Sequence, residues 1–154
     1  MRKRVTLGLL LAFALFSISA TYKTPAPKPA TETGINFFKG SYKDALIEAK
    51  KENKLVFIDA YASWCGPCKM LRQNTFTDKE VSDYFNAHFI NLSVDIEKGE
   101  GVALATKYKV THYPTLIITD NDGKRITFTV GYIQPEDLLG FGKYGMEKAP
   151  TASN

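Results

Sequence analysis

Two cysteines and one tryptophan occur in this 154-residue sequence, and all three fall within Trp64-Cys65-Gly66-Pro67-Cys68-Lys69. The cysteines sit where a continuous apolar run (Leu55, Val56, Phe57, Ile58) gives way to a helix-like segment. A C-x-x-C pair at such a seam suits dithiol–disulfide exchange better than a structural bridge. A helix N-terminus offers free backbone N–H groups and the positive end of the dipole, which stabilise a thiolate on its first cysteine. Cys65 is then the nucleophile. Cys68 lies one turn further on the same face, where its thiol attacks a mixed disulfide formed at Cys65.

A bridge between these cysteines closes a ring of four residues, which constrains the unfolded chain too little for stabilisation to be its purpose. A structural zinc site needs four ligands, and beyond the thiols only His88 and His112 are candidates. His88 reads as a cap or half-buried residue at a helix end, and His112 as a loop residue facing water. No metal and no separate cofactor is expected, since a Cys65–Cys68 disulfide is itself the redox group.

The elements that must position this pair follow from hydrophobic periodicity. With 44% hydrophobic residues the chain holds one modest domain and is too short for two. Ser41 and Asp44 have capping-box spacing and open a helix whose apolar face is Ala45, Leu46 and Ala49. Leu55 to Ala60 is a central strand buried on both faces. The redox helix runs from about Cys65 to Gln73, with Met70 and Phe76 at core spacing. Thr77 and Glu80 form a second capping box, opening a helix through Val81, Tyr84 and Phe85. Phe89 to Val94 is a strand parallel to the first, because the intervening helical segment supplies the crossover. A short helix over Glu100 to Tyr108 follows, then strands over Thr115 to Thr119 and Arg125 to Val130 around an Asn121-Asp122-Gly123 turn. Pro135 opens a last helix, weakened by Gly140 and Gly142. Ile35 to Phe38 is short enough to be either a strand or a packing staple.

Residues 1–20 read as a secretory signal: Arg2, Lys3 and Arg4 precede the apolar run Val5 to Ala20, which ends in small residues. An uncleaved anchor is the alternative. No cysteine near residue 20 could carry a lipid. Residues 21–34, with Pro25, Pro27 and Pro29, form a linker; 35–148 form the domain and 149–154 a tail. The overall charge of +4 invites a nucleic-acid reading, but residues 21–154 carry seventeen basic and sixteen acidic side chains, a net +1. No nucleic-acid partner is expected.

The sequence from about residue 36 to 146 resembles the thioredoxin family. Four features carry the likeness in order: an apolar strand bearing an acid (Leu55 to Asp59), the Trp64–Lys69 hexapeptide, the Tyr113-Pro114-Thr115 step before a strand, and Gly131 after the last strand. The lead-in Ala-Lys-Lys-Glu-Asn-Lys-Leu-Val is most similar to exported bacterial members and to the C-terminal domain of thiol:disulfide interchange proteins. The resemblance implies an α/β thioredoxin fold, a central mixed sheet flanked by helices on both faces. It implies that Cys65 attacks, Cys68 resolves, and Asp59 sits buried behind them as the proton acceptor for Cys68. Desolvation of an acid on an apolar strand supports that role by raising its pKa. Family members often place a lysine near this acid, and Asn91 takes the corresponding place here. Pro114 is implied to be cis, with the backbone of Tyr113 left to pair with a client. Trp64, Gly66, Pro67, Tyr113, Pro114 and Gly131 are the implied client-facing residues, with Trp64, Tyr113 and Tyr132 ringing the thiol.

The Gly66-Pro67 dipeptide is that of reducing thioredoxins, near about −270 mV, rather than of strongly oxidising relatives near about −120 mV. The first expectation is therefore an exported, monomeric reductase of protein disulfides, periplasmic if the cell is Gram-negative, fed by a membrane thiol-transfer protein. The alternatives are a disulfide oxidase or isomerase, or a binding module whose thiols are incidental.

Overall fold

The computed structural model describes residues 34–150. The expected leader, the linker but for Gly34, and residues 151–154 of the tail lie outside the described residues.

Helix α1 (Tyr42–Glu52) begins as its sequence demands. Ser41 Oγ accepts from the Asp44 amide, and the Asp44 carboxylate accepts from the Ser41 amide, so two otherwise unpartnered donors are satisfied reciprocally. The helix ends at Asn53 in the left-handed conformation, and its Ala45 and Ala49 are fully buried. Strand β1 (Leu55–Tyr61) follows, with Val56 to Ala60 buried without a break. A fully buried side chain as large as Phe57 is worth about 1.5–3 kcal/mol relative to exposure.

Helix α2 (Gly66–Met70) passes directly into a π-turn over Leu71–Thr75. The expected helix to Gln73 is thus two local conformations. Met70, expected in the core, is 45% exposed, because Cys68, Leu71 and Thr75 occupy the face turned to the sheet. Phe76 is buried. Helix α3 (Lys79–His88) is capped by Asp78, whose Oδ1 accepts from the Val81 amide at 3.0 Å, and not by the expected Thr77. The Thr77 hydroxyl instead donates to the Gln73 carbonyl at 2.8 Å, closing the preceding turn.

Strand β2 (Phe89–Asp95), helix α4 (Gly101–Tyr108), strands β3 (Thr115–Thr119) and β4 (Arg125–Val130), and helix α5 (Pro135–Lys148) complete the chain. The sheet order is β2-β1-β3-β4, with β1 parallel to β2 and antiparallel to β3, and β4 an antiparallel edge. This mixed sheet covered by helices on both faces is the thioredoxin fold. Phe37 adds one parallel bridge to Asn91, so the Ile35–Phe38 run extends the β2 edge only minimally.

Because side chains alternate along β1, its two faces serve two cores. Val56, Ile58 and Ala60 pack with α1 and α4 through Ala45, Ala49, Leu104 and Tyr108. Phe57 packs with the opposite layer, Leu71, Phe76, Phe85 and Leu138, from the π-turn, α3 and α5. Asp59 shares the Phe57 face, under the redox helix. The glycines of α5 permit its close approach: a Cβ on Gly142 would lie 2.9 Å from the Phe85 ring and one on Gly145 2.5 Å from Ile118.

Candidate active site

Cys65 is the N-cap of α2, and Cys68 lies within it. They are joined as a disulfide with a Cα–Cα separation of 5.4 Å. The Cys68 amide donates to Cys65 Sγ at 3.2 Å, so the first sulfur already receives a backbone N–H that would stabilise its thiolate after reduction. Both cysteines are only 2% exposed and pack with Ala62, Tyr61 and Tyr113.

Trp64 is 66% exposed and stands edge-on to Tyr113, ring centroids 5.8 Å apart. Its Nε1 donates to Glu97 Oε2 at 3.0 Å. Partial burial, and then the charge of the Glu97 carboxylate, raise the pKa of the Tyr113 phenol. The Tyr113–Pro114 peptide is cis, and Tyr113 precedes the β3 ladder, which starts at Thr115. Gly131 adopts φ +94°, a conformation costly for side chains, and its amide donates to the Pro114 carbonyl at 2.8 Å. That bond ties the end of β4 to the cis-proline loop. Gly66 and Pro67 form the first turn of α2 between the cysteines.

Tyr132 does not join this cluster. It packs against the α3–α5 core and its hydroxyl donates to Gln134 Oε1, while Tyr61 takes the expected place beside the cysteines. The reason is geometric: the turn at Gly131 sends the following residue toward α5.

Asp59 is 1% exposed. Its Oδ2 accepts from Ser93 Oγ at 2.8 Å, and Arg72 Nη2 lies 3.6 Å away. Its Oδ1 is buried with no hydrogen-bond partner among the described residues. Desolvation raises its pKa, opposed by the Ser93 hydrogen bond and then by the Arg72 charge. Such a group is costly to keep ionised and ready to take a proton. The companion cation is Arg72, not a strand residue. Strand register puts Ser93 directly opposite Asp59, whereas Asn91 lies opposite Phe57 and donates to Asn36, Phe85 and Asn86. Arg72 also donates to Ser93 Oγ at 3.0 Å and lies 3.8 Å over the Tyr61 ring.

Tyr61, Arg72, Ser93 and Glu97 were not singled out by sequence pattern. Arg72 carried a usable signal, standing four residues after Cys68 and so on its helical face. His112 is exposed, and His88 is half-buried against Tyr84. Among the described residues no three His, Cys, Asp or Glu side chains converge as a metal site.

Residues 42–145 match the Thioredoxin-like domain family. A thioredoxin from Staphylococcus aureus is 36% identical over 97 residues, covering 62% of this chain and 86% of its own. The solution structure of a proposed disulphide-isomerase from Bacteroides thetaiotaomicron superposes with a TM-score of 0.68 at 45% identity, covering 79% of this chain and all of that one. The reduced C-terminal domain of DsbD from Neisseria meningitidis gives 0.55 at 27% identity, covering 70% of this chain and 93% of its own.

Proposed function

Because this chain belongs to the thioredoxin-like family and is a thiol:disulfide oxidoreductase of that family, we propose that it reduces disulfides of exported client proteins through Cys65 and Cys68. The observation that carries the reading is the Cys65–Cys68 disulfide closed around Gly66-Pro67 at the start of α2, with the Cys68 amide already on Cys65 Sγ. Export rests on the charged and apolar pattern of residues 1–20.

In this proposal the Cys65 thiolate attacks a client disulfide, one client sulfur leaves as thiolate, and a mixed disulfide forms. Cys68 passes its proton to Asp59 and attacks Cys65 Sγ. The Cys65–client bond breaks, the second client thiolate departs, and two electrons have moved to the client. The Cys65–Cys68 disulfide remains, so the cycle needs an external dithiol donor, which we assign to a membrane thiol-transfer protein. Trp64, Gly66, Pro67, Tyr113 and Gly131 present the client surface around the buried Pro114, with the Tyr113 backbone offered to an extended segment.

A second reading, disulfide isomerase, is favoured by the naming of the Bacteroides relative. Both readings use the same two thiols and differ in redox poise. The reduction potential of the Cys65–Cys68 couple therefore decides between them.

A further inference from the structure

Asp59 is buried, and two of the side chains around its carboxylate, Arg72 and Ser93, also line a groove at the surface. Its Oδ1 is buried and unpartnered among the described residues, while Oδ2 is held by Ser93, which in turn receives Arg72 Nη2. Arg72 is 41% exposed in its side chain, and with Tyr61 and Ser93 it lines a surface groove of about 400 Å³ whose apolar wall is Ile35, Phe37 and Phe76. The guanidinium stacks on Tyr61, which fixes its plane. The π-turn that carries Arg72 begins at Leu71, whose carbonyl accepts from the Phe76 amide at 2.8 Å. Such turns alter which side chains a helix aims at its neighbour, and here the one aimed at Asp59 is an arginine four residues after Cys68.

We propose that Arg72 is the positioning cation of Asp59, and that the groove it lines with Tyr61 and Ser93 is the path between the Asp59 carboxyl and solvent. The inference rests on the reading of Asp59 as the base for Cys68. The groups around Asp59 are few. The redox helix contributes Arg72 and the cysteine pair, β2 contributes neutral Ser93, β3 contributes Leu116 directly across, and β1 contributes Tyr61. Asp95, at the end of β2, pairs with Lys98 at 3.0 Å, and that bond, with only a last small contribution from the Arg72 charge, holds its carboxyl below the ordinary value. The Arg72 charge offsets part of the desolvation of Asp59. Before each resolving step the carboxylate must be ionised. It then takes the Cys68 proton, Cys68 sulfur attacks Cys65 Sγ, the client thiolate leaves with the electron pair, and the proton on Asp59 departs through the groove.

The test uses the reduced full chain and a chromophoric aromatic disulfide, whose two thiolates are released in sequence by Cys65 and then Cys68. The readout is the ratio of second-phase to first-phase rate across pH. Arg72→Gln should move the acid limb of that ratio to higher pH by about one unit, a slowing of about tenfold below the limb, and Arg72→Lys should restore most of it. Should the Gln variant not fold, Ser93→Ala carries the same test, with a shift in the same direction. If Asp59→Asn slows the second phase but the Arg72 and Ser93 variants overlay the parent profile, the role of Arg72 is overturned and the base survives. An unchanged second phase in Asp59→Asn removes the base itself, and this inference with it.

Discussion

Asp59 and Ser93 face each other across the parallel β1–β2 ladder, and the serine hydroxyl donates to the aspartate at 2.8 Å. A neutral hydroxyl cannot balance a buried charge. Its bond is still the larger counter to desolvation, and the opposing charge comes from Arg72, 3.6 Å away in the π-turn that continues the redox helix, so the acid is coupled to the segment that carries the thiols.

The burial of Asp59 has a thermodynamic signature. Its folded pKa is raised above the ordinary value by desolvation, so between the two values the folded state binds a proton that the unfolded state has lost. Stability therefore falls as pH rises from about 4 through the folded pKa, and each unit of elevation costs about 1.4 kcal/mol above it. Asp59→Asn removes this dependence and should be as stable as the parent or more so at neutral pH. Denaturant melts from pH 4 to 9 measure the difference. A variant less stable than the parent at every pH would mean that the carboxylate holds the fold together.

The two cysteines should separate by role. Cys65→Ser abolishes disulfide reduction, while Cys68→Ser keeps the attacking sulfur without its resolver and should accumulate clients as mixed disulfides. Non-reducing gels of cells expressing each variant check this, and an absence of adducts with Cys68→Ser would reverse or remove the assignment.

Trp64 is the chain's only tryptophan, so its emission reports on this site alone. Its indole is held by Glu97 at 3.0 Å against Tyr113. Glu97→Ala should leave stability within about 1 kcal/mol, since the bond is solvent-exposed, while increasing acrylamide quenching of Trp64. Unchanged quenching would show that Tyr113 alone positions the ring.

The strands and the start of the redox helix were legible because their signals are local. An unbroken apolar run marks β1, reciprocal Ser41 and Asp44 mark α1, and Cys65 falls where a cap is needed. The surroundings of Asp59 were not. Which residue of β2 faces it depends on strand register, and a shift of two residues separates Asn91 from Ser93. The π-turn at Leu71–Thr75 has no sequence signature in the hydrophobic period, so the spacing of Arg72 four residues after Cys68 gives a shared face but not its reach to Asp59. Tyr132 misled for a related reason: proximity in sequence to Gly131 says nothing of the direction taken after a residue at φ +94°. Thr77 and Asp78 are both good caps, and the choice was made by a carbonyl, that of Gln73, left open by the π-turn.

The most direct test of the proposed reductase is the equilibrium reduction potential of the Cys65–Cys68 couple, followed by Trp64 emission in graded glutathione or dithiothreitol buffers. A reductase gives a value near that of reducing thioredoxins, about −270 mV. A value above about −180 mV, in the range of protein disulfide isomerase, would contradict it and make the chain an isomerase or oxidase.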